Sequence, residues 1–96
     1  MEENAQQIAE LLKALANESR LLILCCLMER PMAVSEIAKR VPKISQSALS
    51  QHLALLKARA ILGCNKAGQS VTYFIADERV NEVVEVLKKY YCEVVS

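Results

Sequence analysis

The chain has 96 residues, 53% of them apolar, and balances twelve lysines and arginines against eleven acids for a net charge of +1. It is long enough for one domain and too apolar for a disordered segment. Its longest apolar run, Leu21 to Met28, is too short to cross a bilayer. No charged segment leads into an apolar stretch with a cleavage site, so the sequence predicts a cytoplasmic protein with no membrane partner.

The elements follow in chain order. Glu2 to Ala16 is amphipathic, with Ile8, Leu11, Leu12 and Leu15 at helical spacing. Asn17 is a good N-cap for a second helix, "ESRLLILCCLMER", which is apolar on most of its circumference and belongs at the centre of the core. Pro31 ends it, and "MAV" reads as a short extended piece. "SEIAKRV" is a two-turn helix capped by Val34 or Ser35 and stopped by Pro42. Ser45 caps the next helix, Gln46 to Ala58, which completes a helix-turn-helix. "ILGCNK", "AG" and "QSVTYFIA" read as a hairpin turning at Ala67 and Gly68. Asp77 caps a last helix whose apolar stripe is Val80, Val83, Val84, Leu87 and Tyr91. The predicted fold is mainly α with a small β-hairpin, α-α-(β)-α-α-β-β-α: a single winged-helix domain over residues 1–96. Its terminal helices are left to pair with a second copy.

Charge is segregated along the chain. Residues 37–76 carry six bases (Lys39, Arg40, Lys43, Lys57, Arg59, Lys66) and no acid, between acidic ends. That pattern suits a surface that meets a polyanion, although a solvated face of accidental composition would read the same. Projected on a helical wheel, Leu49, Leu53, Leu56 and Ala60 cluster within about 40°. Ser47, Gln51, Ala54 and Ala58 lie opposite, with Ser50 on the flank. Such a face is low in bulk and rich in hydrogen-bonding groups, as entry into a major groove requires. A plain surface helix would more often carry Lys–Glu pairs. The N-terminal amides and a short hydroxyl suit a phosphate. His52 falls at the boundary of the core side, where a hydrogen bond to backbone or phosphate is expected. Leu55 falls toward the exposed side, where packing on the hairpin would account for it. The wing tip offers Lys66, Gln69 and Ser70, which are also ordinary hairpin residues.

At "LLKALANESRLLIL", "SQSALSQHLALLKARAIL" and "VTYFI" the sequence resembles the ArsR/SmtB family of bacterial winged-helix repressors, over about Ile8 to Cys92. The resemblance implies a homodimer through the first and last helices. It also implies double-stranded operator DNA with two-fold symmetry as the partner, and release by an inducer. The DNA contacts it implies are Ser47, Ser50, Gln51 and His52, with the wing near Lys66 to Ser70. Ser45, Gln46, Lys43 and Lys57 flank them and complete the candidate set. Asn65 departs from the family, many of whose members carry a basic residue there.

Four cysteines, Cys25, Cys26, Cys64 and Cys92, match no zinc-finger or thioredoxin-type spacing. Relative to the family, "SEIAKRV" lacks the Cys-x-Cys of thiolate metal sensors, and the last helix lacks the His of zinc sensors. "RLLILC" and "LKKYYC" instead resemble the branch that senses reactive sulfur species or oxidants. That branch implies that Cys25 and Cys92 become bridged, directly or through added sulfur, with no cofactor. Cys92 falls off the apolar stripe beside Lys88 and Lys89, where a thiolate is favoured. Cys25 alone would read as a small buried hydrophobe. Cys26, about 100° from it on the wheel, is a packing residue or a third thiolate, and Cys64 is structural or incidental. Three readings stay open beside the persulfide sensor: a metal or arsenite sensor using Cys25, Cys26 and Cys92, a regulator with inert thiols, and a winged helix that binds protein rather than DNA. A thiol enzyme is disfavoured, because there is no Cys-x-x-Cys, no glycine-rich loop and one histidine.

Overall fold

Residues 2–41 and 43–91 are described by a computed structural model, Tyr91 by its backbone alone. Among them the order is α1 (Glu2–Leu15), α2 (Glu18–Glu29), β1 (Met32–Ala33), α3 (Val34–Arg40), α4 (Gln46–Ala58), β2 (Leu62–Ala67), β3 (Ser70–Ile75) and α5 (Glu78–Tyr91). The strands form one antiparallel sheet in the order β1-β3-β2, with Met32 opposite Tyr73 and Leu62 opposite Ile75. This is the winged helix-turn-helix expected. Among the described residues no helix is long and apolar enough to cross a membrane.

Side-chain caps set the start of three helices. Asn17 Oδ1 accepts the Arg20 N–H at 3.0 Å, Ser45 Oγ accepts the Ala48 N–H at 3.0 Å, and Asp77 Oδ1 accepts the Arg79 N–H at 3.0 Å. Asp77 also holds the Arg79 guanidinium, which keeps its carboxyl below the usual aspartate range. The core is the meeting of Ile23, Leu24 and Leu27 on α2, Ile37 on α3, Leu49, Leu53 and Leu56 on α4, Met32, Ile61 and Leu62 near the sheet, and Val80 and Val84 on α5. Burial of these apolar side chains is the principal force holding the reading helix to the rest. Two ion pairs tie neighbouring elements: Arg40 at the end of α3 to Glu29 on α2 at 2.6 Å, and Arg59, just past the end of α4, to Glu10 on α1 at 3.5 Å.

Several boundaries differ from the sequence reading. Helix α3 begins at Val34, with Ala33 as its cap and no side-chain cap bond. Pairing of Ala33 with Thr72 keeps the backbone extended up to that residue, so neither Val34 nor Ser35 is left to cap. The hairpin turns at Gly68 and Gln69 rather than Ala67 and Gly68, since Ala67 pairs with Ser70. Gly68 takes φ 64 at the first central position, the sign pattern of a type II′ turn that suits the strand twist. Ala60 is not on the core face of α4. It lies past the helix end at φ 60 and is exposed. The stripe of α5 also divides: Val80 and Val84 are buried, whereas Val83 and Leu87 are exposed. The Tyr91 side chain and the expected stop at Pro42 lie outside the described residues.

Candidate nucleic-acid interface

Helix α4 stands on the core through Leu49, Leu53 and Leu56, and this fixes what its other face presents. Ser47, Ser50, Gln51, Ala54 and Ala58 are all exposed. Ser45 and Gln46 are exposed at the N-terminal end, where amides without helical partners give a partial positive charge. Lys43, at φ 58, is exposed in the turn before the helix, and Lys57 is exposed in its last turn. A groove of about 570 Å³ runs beside Gln46 and Leu49, against Val34, Ser35, Ala38 and Ile44 of the preceding segment. Lys66, Gln69 and Ser70 are exposed at the tip of the β2–β3 hairpin. Leu55 is exposed to 38%, on the outward side as its spacing predicts.

Not all of the basic segment is available to an outside anion. Arg40 and Arg59 are matched by Glu29 and Glu10. Lys39, Lys43, Lys57 and Lys66 are exposed and form no ion pair with a described residue.

His52 is half-buried at the edge of that face. Its Nδ1 lies 3.4 Å from Arg20 Nη1, so its partner is a side chain of α2 rather than backbone. Arg20 is the functional candidate that sequence reasoning missed. Its Nε donates to Ala14 O at 2.6 Å and its Nη2 to Lys13 O at 3.4 Å, closing the last turn of α1. The only signal was its place in "LANESRL", since contacts to backbone carbonyls leave no periodic trace.

The thiols are spread over the fold. Cys25 is half-buried and packs against the core, while its neighbour Cys26 is buried. Burial pushes the Cys26 thiol above its ordinary range, against the pull of Arg40. Cys64 sits half-buried on β2, opposite Tyr73. Cys92 lies outside the described residues.

The family model for bacterial regulatory proteins of the arsR family matches residues 17–59, from the cap of α2 to the end of α4. The transcriptional activator HlyU of Vibrio cholerae is 42% identical over 93 residues, covering 97% of this chain and 85% of that protein. The chain belongs to the arsR family of bacterial regulatory proteins. Family membership extends to the backbone. The solved structure of V. cholerae HlyU superposes with a TM-score of 0.89, covering 96% of this chain and 99% of that one. The transcriptional repressor BigR of Xylella fastidiosa, 28% identical, gives 0.86 and covers 100% of this chain and 94% of its own. A third arsR-type structure, the homodimeric winged helix-turn-helix DNA-binding domain Mb0332 of Mycobacterium bovis, is 29% identical. It gives 0.80 and covers 97% of this chain and 85% of its own.

Proposed function

We propose that this regulator is a homodimeric repressor that reads a two-fold symmetric operator and releases it when Cys25 and Cys92 are bridged by reactive sulfur species or oxidation. The observation that carries the DNA reading is the outward face of α4: Ser47, Ser50 and Gln51 exposed beside Lys43 and Lys57, with no carboxylate. Gln51 reads a base edge, the hydroxyls and N-terminal amides of α4 hold phosphates, and the lysines supply attraction independent of sequence. Ser45 and Gln46 lie at the helix entrance, and Lys66, Gln69 and Ser70 reach the backbone from the wing. The likeness to Mb0332, a homodimeric DNA-binding domain, and to BigR, a transcriptional repressor, supports the reading.

The second copy docks on α1 and α5. Ile8 and Leu12 on α1 and Val86, Leu87 and Tyr90 on α5 are exposed large hydrophobic residues that a second copy would cover. A two-fold dimer sets two copies of α4 about 34 Å apart, one turn of duplex.

A thiolate of the pair takes the outer sulfur of a persulfide, giving a protein persulfide and a reduced thiol. The second cysteine then attacks the inner sulfur, closing a disulfide and expelling hydrogen sulfide. The bridge ties α2 to the end of the chain and moves the dimer halves. The burial of Cys26, with its thiol pushed up, favours the two-cysteine reading over a three-thiolate metal site.

Duplexes from the regulator's own promoter, titrated with reduced and persulfide-treated protein and followed by intact mass spectrometry, test both halves. Reduced protein binds and treated protein does not, with the mass change confined to Cys25 and Cys92. Gln51→Ala loses roughly tenfold in discrimination between operator and random duplex. Unaltered release in Cys25→Ser and Cys92→Ser overturns the thiol half, and unaltered discrimination in Gln51→Ala overturns the reading face.

A further inference from the structure

We propose that Arg20 is a positioning residue for the reading helix: it fixes the tautomer of His52 and ties that imidazole to the last turn of α1. Three contacts of one guanidinium make the junction. Nε donates to Ala14 O and Nη2 to Lys13 O, the latter a carbonyl that also accepts the Ala16 N–H at 3.3 Å, and Nη1 meets His52 Nδ1 on α4.

A guanidinium carries only donors and keeps its proton. Across the 3.4 Å contact, Nδ1 of His52 is therefore the acceptor. The proton of the neutral ring sits on Nε2. A ring protonated at Nδ1 would turn N–H against N–H and lose the contact. His52 thus enters the interface with Nδ1 already engaged and with one donor, Nε2–H, to offer a phosphate oxygen or a base acceptor. It does so one residue after the exposed Gln51.

The junction also places Arg20 between two surfaces. Its fork is held by α1, which carries the exposed Ile8 and Leu12, and its third arm holds a residue of α4. The other polar link between these helices, Arg59 to Glu10, is exposed at 3.5 Å and grips the end of α4 rather than its reading half. A displacement of α1 moves the guanidinium, and with it the ring. Arg20 therefore acts on DNA through His52.

This inference rests on the DNA reading for one of its readouts and stands without it for the other. His52 is the only histidine in the chain, so a ¹⁵N-edited imidazole spectrum reports it alone. In its neutral form the wild-type ring carries its proton on Nε2, and Arg20→Met shifts both ring nitrogens toward a tautomer mixture. A wild-type ring protonated on Nδ1, or identical spectra for the two proteins, overturns the assignment. On promoter duplex, Arg20→Met weakens binding about tenfold in the wild-type background and less than about twofold in a His52→Leu background. Equal losses in both backgrounds show that Arg20 only clamps α1, and overturn the transmission to α4. Arg20→Lys keeps the charge and one donor nitrogen, which cannot reach all three acceptors at once, and replaces Arg20→Met in both measurements if the latter does not fold. Absence of duplex binding in every protein defeats the DNA reading alone, since the spectrum still decides the tautomer.

Discussion

Gly63 sits opposite Phe74 across β2 and β3, and the aromatic ring lies where a side chain would begin: a Cβ at residue 63 would come within 2.5 Å of Phe74 Cζ. Gly63→Ala therefore forces the ring off the strand and costs about 1 kcal/mol by overpacking. Urea unfolding of Gly63→Ala, Phe74→Leu and the double variant checks this. The double variant should be more stable than the two single losses add to, because the clash is shared. The pairing was not legible in the sequence, for it depends on a register set by the turn at Gly68 and Gln69. The exposure of Ser47, Ser50 and Gln51 was legible, because helical spacing alone puts Ser47 and Gln51 opposite Leu49, Leu53 and Leu56 and Ser50 on the flank. Arg20 left no such mark: its partners are the carbonyls of Lys13 and Ala14 and a ring 32 positions away.

The end of α4 shows the same division at the scale of an element. The N–H of Ala60 donates to Lys57 O and that of Ile61 to Leu56 O, while Ala60 takes φ 60: a Schellman cap with alanine where glycine is usual. Ile61 and Leu56 are both buried, so the apolar contact that accompanies this cap is in place and outweighs the backbone strain. Ala60→Gly removes that strain and raises stability by about 0.5–1 kcal/mol in chemical denaturation. A destabilised variant would contradict this account of the cap. The end of α4 at Ala58 was readable, whereas projecting the helical period past it placed Ala60 with the core residues, and the cap turns Ala60 outward instead. The starts of α2, α4 and α5 were readable because Asn17, Ser45 and Asp77 each bond a backbone N–H. The start of α3 was not, because a strand pairing fixes it instead of a side chain.

For the whole molecule the radius of gyration is 13.7 Å, above the roughly 12.5 Å of a compact domain of this length. The apolar stripe on α5 was visible in sequence, but its division was not. Val80 and Val84 serve the domain's own core, whereas Leu87 and Val86 remain uncovered at 47% and 54% exposure. Leu87→Glu is expected to leave the monomer folded and shift the dimer–monomer equilibrium at least tenfold toward monomer in sedimentation. An unchanged dimer would move the interface elsewhere. The basic segment was legible as a charge pattern, yet the fold matches Arg40 and Arg59 with acids from α2 and α1 and leaves the lysines to act.

In the proposed function, the carboxylate-free face of α4 seats on duplex DNA, with Lys39, Lys43, Lys57 and Lys66 as the unpaired bases of the middle of the chain. The most direct test is the affinity of the reduced protein for duplex from its own promoter as a function of salt. Eight lysines in a dimer predict binding at low ionic strength with a log–log slope between about −4 and −7. Lys57→Gln should weaken binding to every sequence and make the slope shallower by up to about 2 in the dimer. No binding at low salt, or an affinity indifferent to salt, would contradict it.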